Sequence, residues 1–255
     1  MGLKMKLARF EHGGRVLTGR LVDDEVFALG GDLFNPGREV HKSFNAGDVR
    51  FLSPIQPSKI ICIGFNYRRH MDEVSDIATK NPTLTLKSPD TVIGSDEAII
   101  LPSESARVEH EAELGIVIGK EGYRIRNPGE HILGYTVVND VTARDLEREM
   151  VQWSAGKSFP TFCPTGPCVE TELDPADVRI TCRVNNEVRQ DERTRNMIYN
   201  PLECVVFVSR FMRLFPGDLI ATGTIPGVGL LSGGDVVEVG IEGIGFLRNP
   251  VKSDV

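Results

Sequence analysis

The segment Val108–Gly119 carries glutamates at alternate positions, Glu109, Glu111 and Glu113, and then runs into the apolar stretch Leu114–Ile118. In a β-strand, residues i, i+2 and i+4 share one face. The three carboxylates are therefore expected to point the same way. Beyond Glu113 both faces turn apolar, so the strand is expected to enter a core. Carboxylates lined up at that entry repel one another and lose hydration. A hard divalent cation resolves both problems, because Mg²⁺, Mn²⁺ and Ca²⁺ favour oxygen ligands. Same-face neighbours lie about 6.5–7 Å apart along a strand, so two glutamates can converge on one ion. The other reading of the pattern is a solvated edge strand with an acidic face.

The rest of the chain bounds the class of protein. Its 255 residues allow one large domain, or one large domain with a small partner. A net charge of −7 argues against nucleic acid and anionic membrane surfaces as main partners, since both call for a basic face. No apolar run approaches the roughly 18 residues of a membrane span. The first six residues lack the apolar stretch of a secretory signal, and Lys6 stands where a myristoylation signal has Ser or Thr. The five cysteines are odd in number, scattered and without a CxxC pair. Buried, reduced thiols in a cytoplasmic protein are expected, not a structural zinc site.

Residues 5–28 read as a meander of short strands punctuated by Gly13-Gly14 and Asp23-Asp24. Ser53-Pro54-Ile55-Gln56-Pro57 reads as an extended linker, which places a boundary near residue 55. The expected organisation is a small N-terminal antiparallel β domain over 1–55 and a larger domain over 56–255. In the latter, strands are expected at 59–64, 98–101, 108–118, 134–139, 178–184, 218–222, 236–241 and near Phe246. Helical periodicity appears over Thr142–Trp153, where Leu146, Met150 and Trp153 share a face, and over Pro201–Arg213. Thr142 and Asp145 have the spacing of a capping box. Strands outnumber helices and do not alternate with them, which fits a mainly β or α+β fold and not a Rossmann layout.

Several other residues are placed for chemistry. Asp140 ends a strand just before the expected helix and could supply a third carboxylate, or serve as a turn residue. Lys157 lies in a stretch dense in Pro and Gly, either buried beside carboxylates or solvated. If 68–76 form a helical turn, His70 and Glu73 share a face at i, i+3, as a general-base pair or a surface charge pair. Gly223–Gly229 is a glycine-rich turn after a strand, without the Walker A ending or the GxGxxG fingerprint. Its N–H groups and the Thr224 hydroxyl could bind a carboxylate or enolate, or simply form a tight turn.

Taken in order, Gly64–His70, Lys87-Ser88-Pro89, Glu111-Ala112-Glu113-Leu114, Asn139–Asp145, Gly156–Phe159, Gly166-Pro167, Pro216-Gly217-Asp218, Thr222–Gly229 and Glu242–Gly245 resemble the C-terminal catalytic domain of the fumarylacetoacetate hydrolase family. The likeness runs from about Lys59 to Val251. It implies a mixed β-roll or sandwich around one divalent cation, Mg²⁺ ahead of Mn²⁺ or Ca²⁺, in a homodimer. Carried over, the metal carboxylates fall on Glu111, Glu113 and Asp140, and Lys157 falls beside the metal. His70 and Glu73 fall on the water-activating pair of hydrolytic members, and Lys87 and Thr224 on substrate-side positions. Glu109 lies outside the ligand pattern. Ser88 and Ile225 interrupt Lys-Pro and Thr-Pro pairs common in the family, near the substrate side. The resemblance implies hydrolysis of a C–C bond in a small 2-oxo acid β-diketone. The alternatives are isomerisation or decarboxylation of 2-hydroxy unsaturated diacids or oxaloacetate, or a non-catalytic metal-binding protein.

Overall fold

The acidic segment does not form one continuous strand. In this computed structural model, which describes residues 5–74 and 81–254, the chain changes sheet at Glu111. Val108–His110 pairs with Thr142–Ala143 and Gly229–Leu230 in a three-stranded sheet. Ala112–Ile118 pairs with Ile132–Asn139 and Leu219–Ala221 in a twelve-stranded sheet. Its antiparallel neighbour leaves the large sheet at the same level, between Asn139 and Thr142. Glu111 and Asp140 thus sit side by side at the crossing, joined by the Asp140 N–H donating to the Glu111 carbonyl at 2.9 Å. The Asn139 side-chain oxygen accepts from the Glu111 N–H at 3.0 Å, replacing the interrupted ladder.

The fold is mainly β with few helices, as the strand pattern implies. The large sheet is mixed: Leu219–Ala221 runs parallel to Ile60–Gly64, while most other pairs are antiparallel. A five-stranded sheet containing Arg179–Val184, Glu187–Arg193, Val236–Ile241 and Gly245–Ser253 packs across it. Leu114, Ile116 and Ile118 join Ile180, Val239 and Leu247 in the core between them. Val117 faces the other way, onto Ile60, Val138 and Leu219. Core on both sides explains why the strand turns uniformly apolar after Glu113.

The N-terminal strands Lys6–His12, Arg15–Val22, Glu25–Leu29 and Glu39–Asn45 extend the large sheet as a meander. They carry their own apolar cluster of Phe10, Val26, Ala28 and Phe44, and Lys6 and Leu7 pair with Glu170 and Val169.

Three local expectations are corrected. Thr142–Trp153 is not one helix: Thr142–Ala143 is a strand, Arg144–Glu149 a helix, and Ser154–Lys157 a second short helix. Thr142 donates its hydroxyl proton to the Asp140 carbonyl, and Asp145 binds Ser105 and the Ala106 N–H, so no capping box forms there. The second predicted helix ends early, spanning Pro201–Val208, and holds the capping box that was not foreseen, between Asn200 and Glu203. The Pro- and Gly-dense stretch that holds Lys157 runs at its far end into a strand of the large sheet, Cys163–Glu170. Helix Arg68–Val74 forms at the expected place, and its expected last two residues, 75–76, lie outside the described residues. Residues 1–4 of the expected signal-free N-terminus lie outside them as well. All five cysteines are buried and free, and among the described residues no helix is long and apolar enough to cross a membrane.

Candidate functional site

Carboxylate oxygens of Glu111, Glu113 and Asp140 lie within 4.8 Å of one another, and all three residues are buried. Glu111 and Asp140 come from the sheet crossing. Glu113 follows two residues on, at the start of the long strand, and accepts from the Gly223 N–H at 2.7 Å. Gly223 makes that contact because its φ is 99° and a Cβ there would fall 2.7 Å from the Ile63 carbonyl oxygen and from Asn66 Cβ. Among the described residues this is the only hydrogen bond to the Glu113 carboxyl.

Lysines and one arginine hold the other two acids. Lys157 ends the short helix Ser154–Lys157 and is buried, donating to Glu111 at 2.9 Å, Asp140 at 2.7 Å and the Thr142 hydroxyl at 2.8 Å. Gly156 allows the approach: a Cβ there would sit 2.8 Å from the Ala143 carbonyl oxygen and from the Glu147 N–H nitrogen. Lys87 donates to Asp140 at 2.5 Å and to the Val141 carbonyl at 3.0 Å, and it does not line the cavity. Arg144 binds Glu111 and Glu147, and donates to Glu109 at 2.8 Å. Glu109 also accepts from Arg107 at 2.6 Å and stays outside the acid triad.

These contacts set the charge states. Burial pushes Glu111 up, but Lys157 and Arg144 outweigh it and hold its carboxyl well below the usual range. Burial likewise opposes ionisation of Asp140, and Lys157 and Lys87 reverse the effect. Glu113 has no such partner, so burial and then the charges of Asp140 and Glu111 drive its carboxyl well up. Burial disfavours a charged Lys157, but Asp140 and Glu111 keep it protonated.

The cluster fits a divalent cation by charge and donor type. Five buried carboxylates, Glu109, Glu111, Glu113, Asp140 and Glu147, face three buried cations, Lys87, Arg144 and Lys157. Fully ionised, the buried groups are two negative charges in excess, and the half-exposed Arg107 on Glu109 offsets one of them, so the cluster stays net negative. The donors around that point are all oxygen, which suits Mg²⁺, Mn²⁺ or Ca²⁺.

The triad opens into a cavity of about 250 Å³ that also presents His70, Thr224, Phe65 and Trp153. That is below the roughly 300–1,000 Å³ of sites for drug-sized ligands, and suits a small acid. His70 is buried, and its Nδ1 lies 3.5 Å from Glu73 Oε2 without forming a hydrogen bond. Burial lowers the His70 pKa, opposed by the nearby Glu111 charge, so the neutral ring is favoured. Glu73 is held from behind by the Gly227 N–H, at 3.2 and 3.1 Å from its two oxygens.

Thr224 is fixed by a residue the sequence did not flag. Gln190 donates to the Thr224 hydroxyl at 3.0 Å and to the Ile225 carbonyl at 2.6 Å. Its side-chain oxygen lies 3.0 Å from both His110 Nδ1 and the Ala112 N–H nitrogen, between the two glutamates. Thr224 donates its hydroxyl proton to the Ala112 carbonyl at 3.2 Å and accepts from Gln190, which leaves it one lone pair.

The model for the fumarylacetoacetate hydrolase C-terminal domain matches residues 59–252, most of the chain. The chain belongs to the fumarylacetoacetate hydrolase family. An N-terminal model described as Rv2993c-like covers residues 5–54. Within the family, the chain is 41% identical over 217 residues to rat mitochondrial oxaloacetate tautomerase Fahd2a, spanning 80% of this chain and 69% of that protein. The crystal structure of 5-carboxymethyl-2-hydroxymuconate delta-isomerase from Mycobacterium smegmatis superposes with a TM-score of 0.91 at 38% identity, covering 98% of this chain and 100% of the other. Maleylpyruvate hydrolase from Sphingobium sp. SYK-6, crystallised with manganese(II) and pyruvate, superposes with a TM-score of 0.82 at 26% identity, covering 98% and 99%. Family members thus carry hydrolase, isomerase and tautomerase names on one fold, and one of them holds a divalent cation.

Proposed function

We propose that this protein is a divalent-cation-dependent enzyme that hydrolyses a C–C bond in a small β-diketone 2-oxo acid. The observation that carries the reading is the meeting, in one small cavity, of an all-oxygen donor set and the neutral imidazole of His70. A cation, Mg²⁺ in our reading, held by Glu111, Glu113 and Asp140 would supply Lewis-acid stabilisation to negative charge developing on the substrate's 2-oxygen.

The chain's own residues do the rest. Lys157 and Arg144 keep Glu111 ionised, and Lys157 and Lys87 do the same for Asp140. Glu73, anchored on the Gly227 N–H, stands beside His70 Nδ1 and stabilises the ring when it gains a proton. His70 takes that proton from water, and the hydroxide formed attacks the distal carbonyl. The C–C bond breaks, the electron pair stays on the 2-oxo fragment as an enolate, and the enolate carbon takes the proton held by His70, which returns the ring to its neutral form. The remaining Thr224 lone pair could accept a hydrogen bond from the substrate only in its enol form, from the enol O–H.

A second reading is favoured by the names of the more similar relatives, a tautomerase at 41% and an isomerase at 38% identity against a hydrolase at 26%. In it, His70 moves a proton on the substrate carbon and no water is consumed. The test follows enol absorbance when metal-stripped protein is added to acylpyruvates and oxaloacetate, with and without Mg²⁺ or Mn²⁺. Cation-dependent formation of pyruvate plus a second acid establishes hydrolysis. Enol–keto exchange or one isomer establishes the second reading, and cation-dependent CO₂ release would point to decarboxylation. No turnover of any substrate by cation-loaded protein would overturn both.

A further inference from the structure

We propose that Arg148 is a specificity-determining residue, selecting substrates whose tail ends in a carboxylate. The assignment rests on the reading that the inner end of the cavity takes a 2-oxo acid head.

The cavity presents three cationic side chains, and two are already engaged. Lys157 directs its ammonium to Glu111, Asp140 and Thr142, which uses its three donors. Arg144 is bound to three carboxylates, Glu109, Glu111 and Glu147. Arg148 follows Arg144 by four residues on helix Arg144–Glu149, one turn further along. It lines the same cavity, is exposed, and has no ion pair among the described residues. It is therefore the cavity's uncommitted cation, and its exposure puts it at the mouth.

The half-buried part of the lining is aromatic. Phe65 and Trp153 line the cavity with ring centroids 5.3 Å apart at 83°. Phe65 has φ 61°, a left-handed conformation that is rare for a bulky side chain and is retained where the surroundings enforce it. By depth, the lining passes from the buried oxygen donors, through the half-buried rings of Phe65 and Trp153, to the exposed guanidinium of Arg148. That order matches a 2-oxo acid head, a short apolar middle and an anionic end. A guanidinium also prefers a carboxylate for geometric reasons, since its fork binds both oxygens.

The test compares direct binding of 2-oxopentanedioate and 2-oxopentanoate, which share a carbon skeleton and differ in the terminal carboxylate. Titration calorimetry with the full-length Mn²⁺-loaded protein is expected to show tighter binding of the diacid. Arg148→Met should weaken the diacid by roughly tenfold and leave the monoacid unchanged. The unchanged monoacid also reports an intact fold. Arg148→Glu should reverse the preference. Equal losses for both acids, no loss for the diacid, or a wild-type protein that does not distinguish them would overturn the assignment. The two readings fail separately. Binding discrimination without turnover of acylpyruvates would sink the hydrolase reading and leave Arg148 standing. Hydrolysis that is indifferent to tail charge in wild type and variant alike would do the reverse.

Discussion

Lys157 donates to Asp140 at 2.7 Å from the far side of a helix break, seventeen residues along the chain, and the same ammonium reaches Glu111 at 2.9 Å. One buried cation therefore neutralises part of two prospective metal ligands and leaves Glu113 without a cationic partner. Removing it leaves buried acids uncompensated. Lys157→Met is expected to destabilise the metal-free protein by about 3–5 kcal/mol, the cost of breaking a buried ion pair. Denaturant titrations of both proteins would measure this, and added Mn²⁺ should narrow the gap. A gap unaffected by Mn²⁺ would show that the ion binds elsewhere.

Glu113 makes cation binding pH-dependent. Its carboxyl is raised well above the ordinary 4.5 by burial and by Asp140 and Glu111. Between those two values the folded protein holds a proton that the unfolded chain has released. The native state then binds more protons, so Glu113 lowers metal-free stability as pH rises through this window. Cation binding must expel the proton, so affinity should rise by up to about tenfold per pH unit there. Calorimetry in buffers of different ionisation enthalpy would count the proton, and Glu113→Gln should abolish both dependences.

Substitutions at the ligands and at the base should separate binding from chemistry. Glu111→Ala is expected to abolish both Mn²⁺ binding and turnover. His70→Ala should retain Mn²⁺ binding while lowering kcat by about 10²–10⁴-fold, the usual contribution of a positioned acid–base group. Paramagnetic resonance of bound Mn²⁺ alongside steady-state rates distinguishes the two. Full activity in His70→Ala would remove the base from the scheme.

Gln190 ties the five-stranded sheet to the backbone between Glu111 and Glu113. Gln190→Leu leaves the buried Ala112 N–H and the Thr224 hydroxyl short of a partner. A loss of about 1–3 kcal/mol in folding stability is expected. KM should rise more than kcat falls, because the substrate-facing hydroxyl loses its anchor while His70 does not. A variant with wild-type stability and kinetics would show the contact to be dispensable.

Much of this site was legible along the chain because its parts are local. The alternation of Glu109, Glu111 and Glu113 ahead of an apolar strand marks carboxylates at a core entrance, and the i, i+3 spacing of His70 and Glu73 marks a helix face. The ordered motifs, taken as a resemblance, grouped Asp140 with Glu111 and Glu113, set Lys157 beside them, and put Thr224 and Lys87 on the substrate side, whereas Lys87 lies behind Asp140 and off the cavity. The five scattered cysteines were readable as free thiols, and they are. The alternation could not say where the strand breaks. Glu111 leaves the ladder because a neighbouring strand, 28 residues on in register, leaves with it.

Only the tertiary structure decided which charges meet. Lys87 faces Asp140 across 53 residues, and Gln190 reaches Ala112 across 78, with no periodicity to announce either. The helix expected over Thr142–Trp153 breaks after Glu149, and that break carries Lys157 back into the acids. Local spacing determines which residues share a face. Sheet crossings and close glycine contacts determine which faces are brought together, and burial then sets which of the assembled acids keeps its proton.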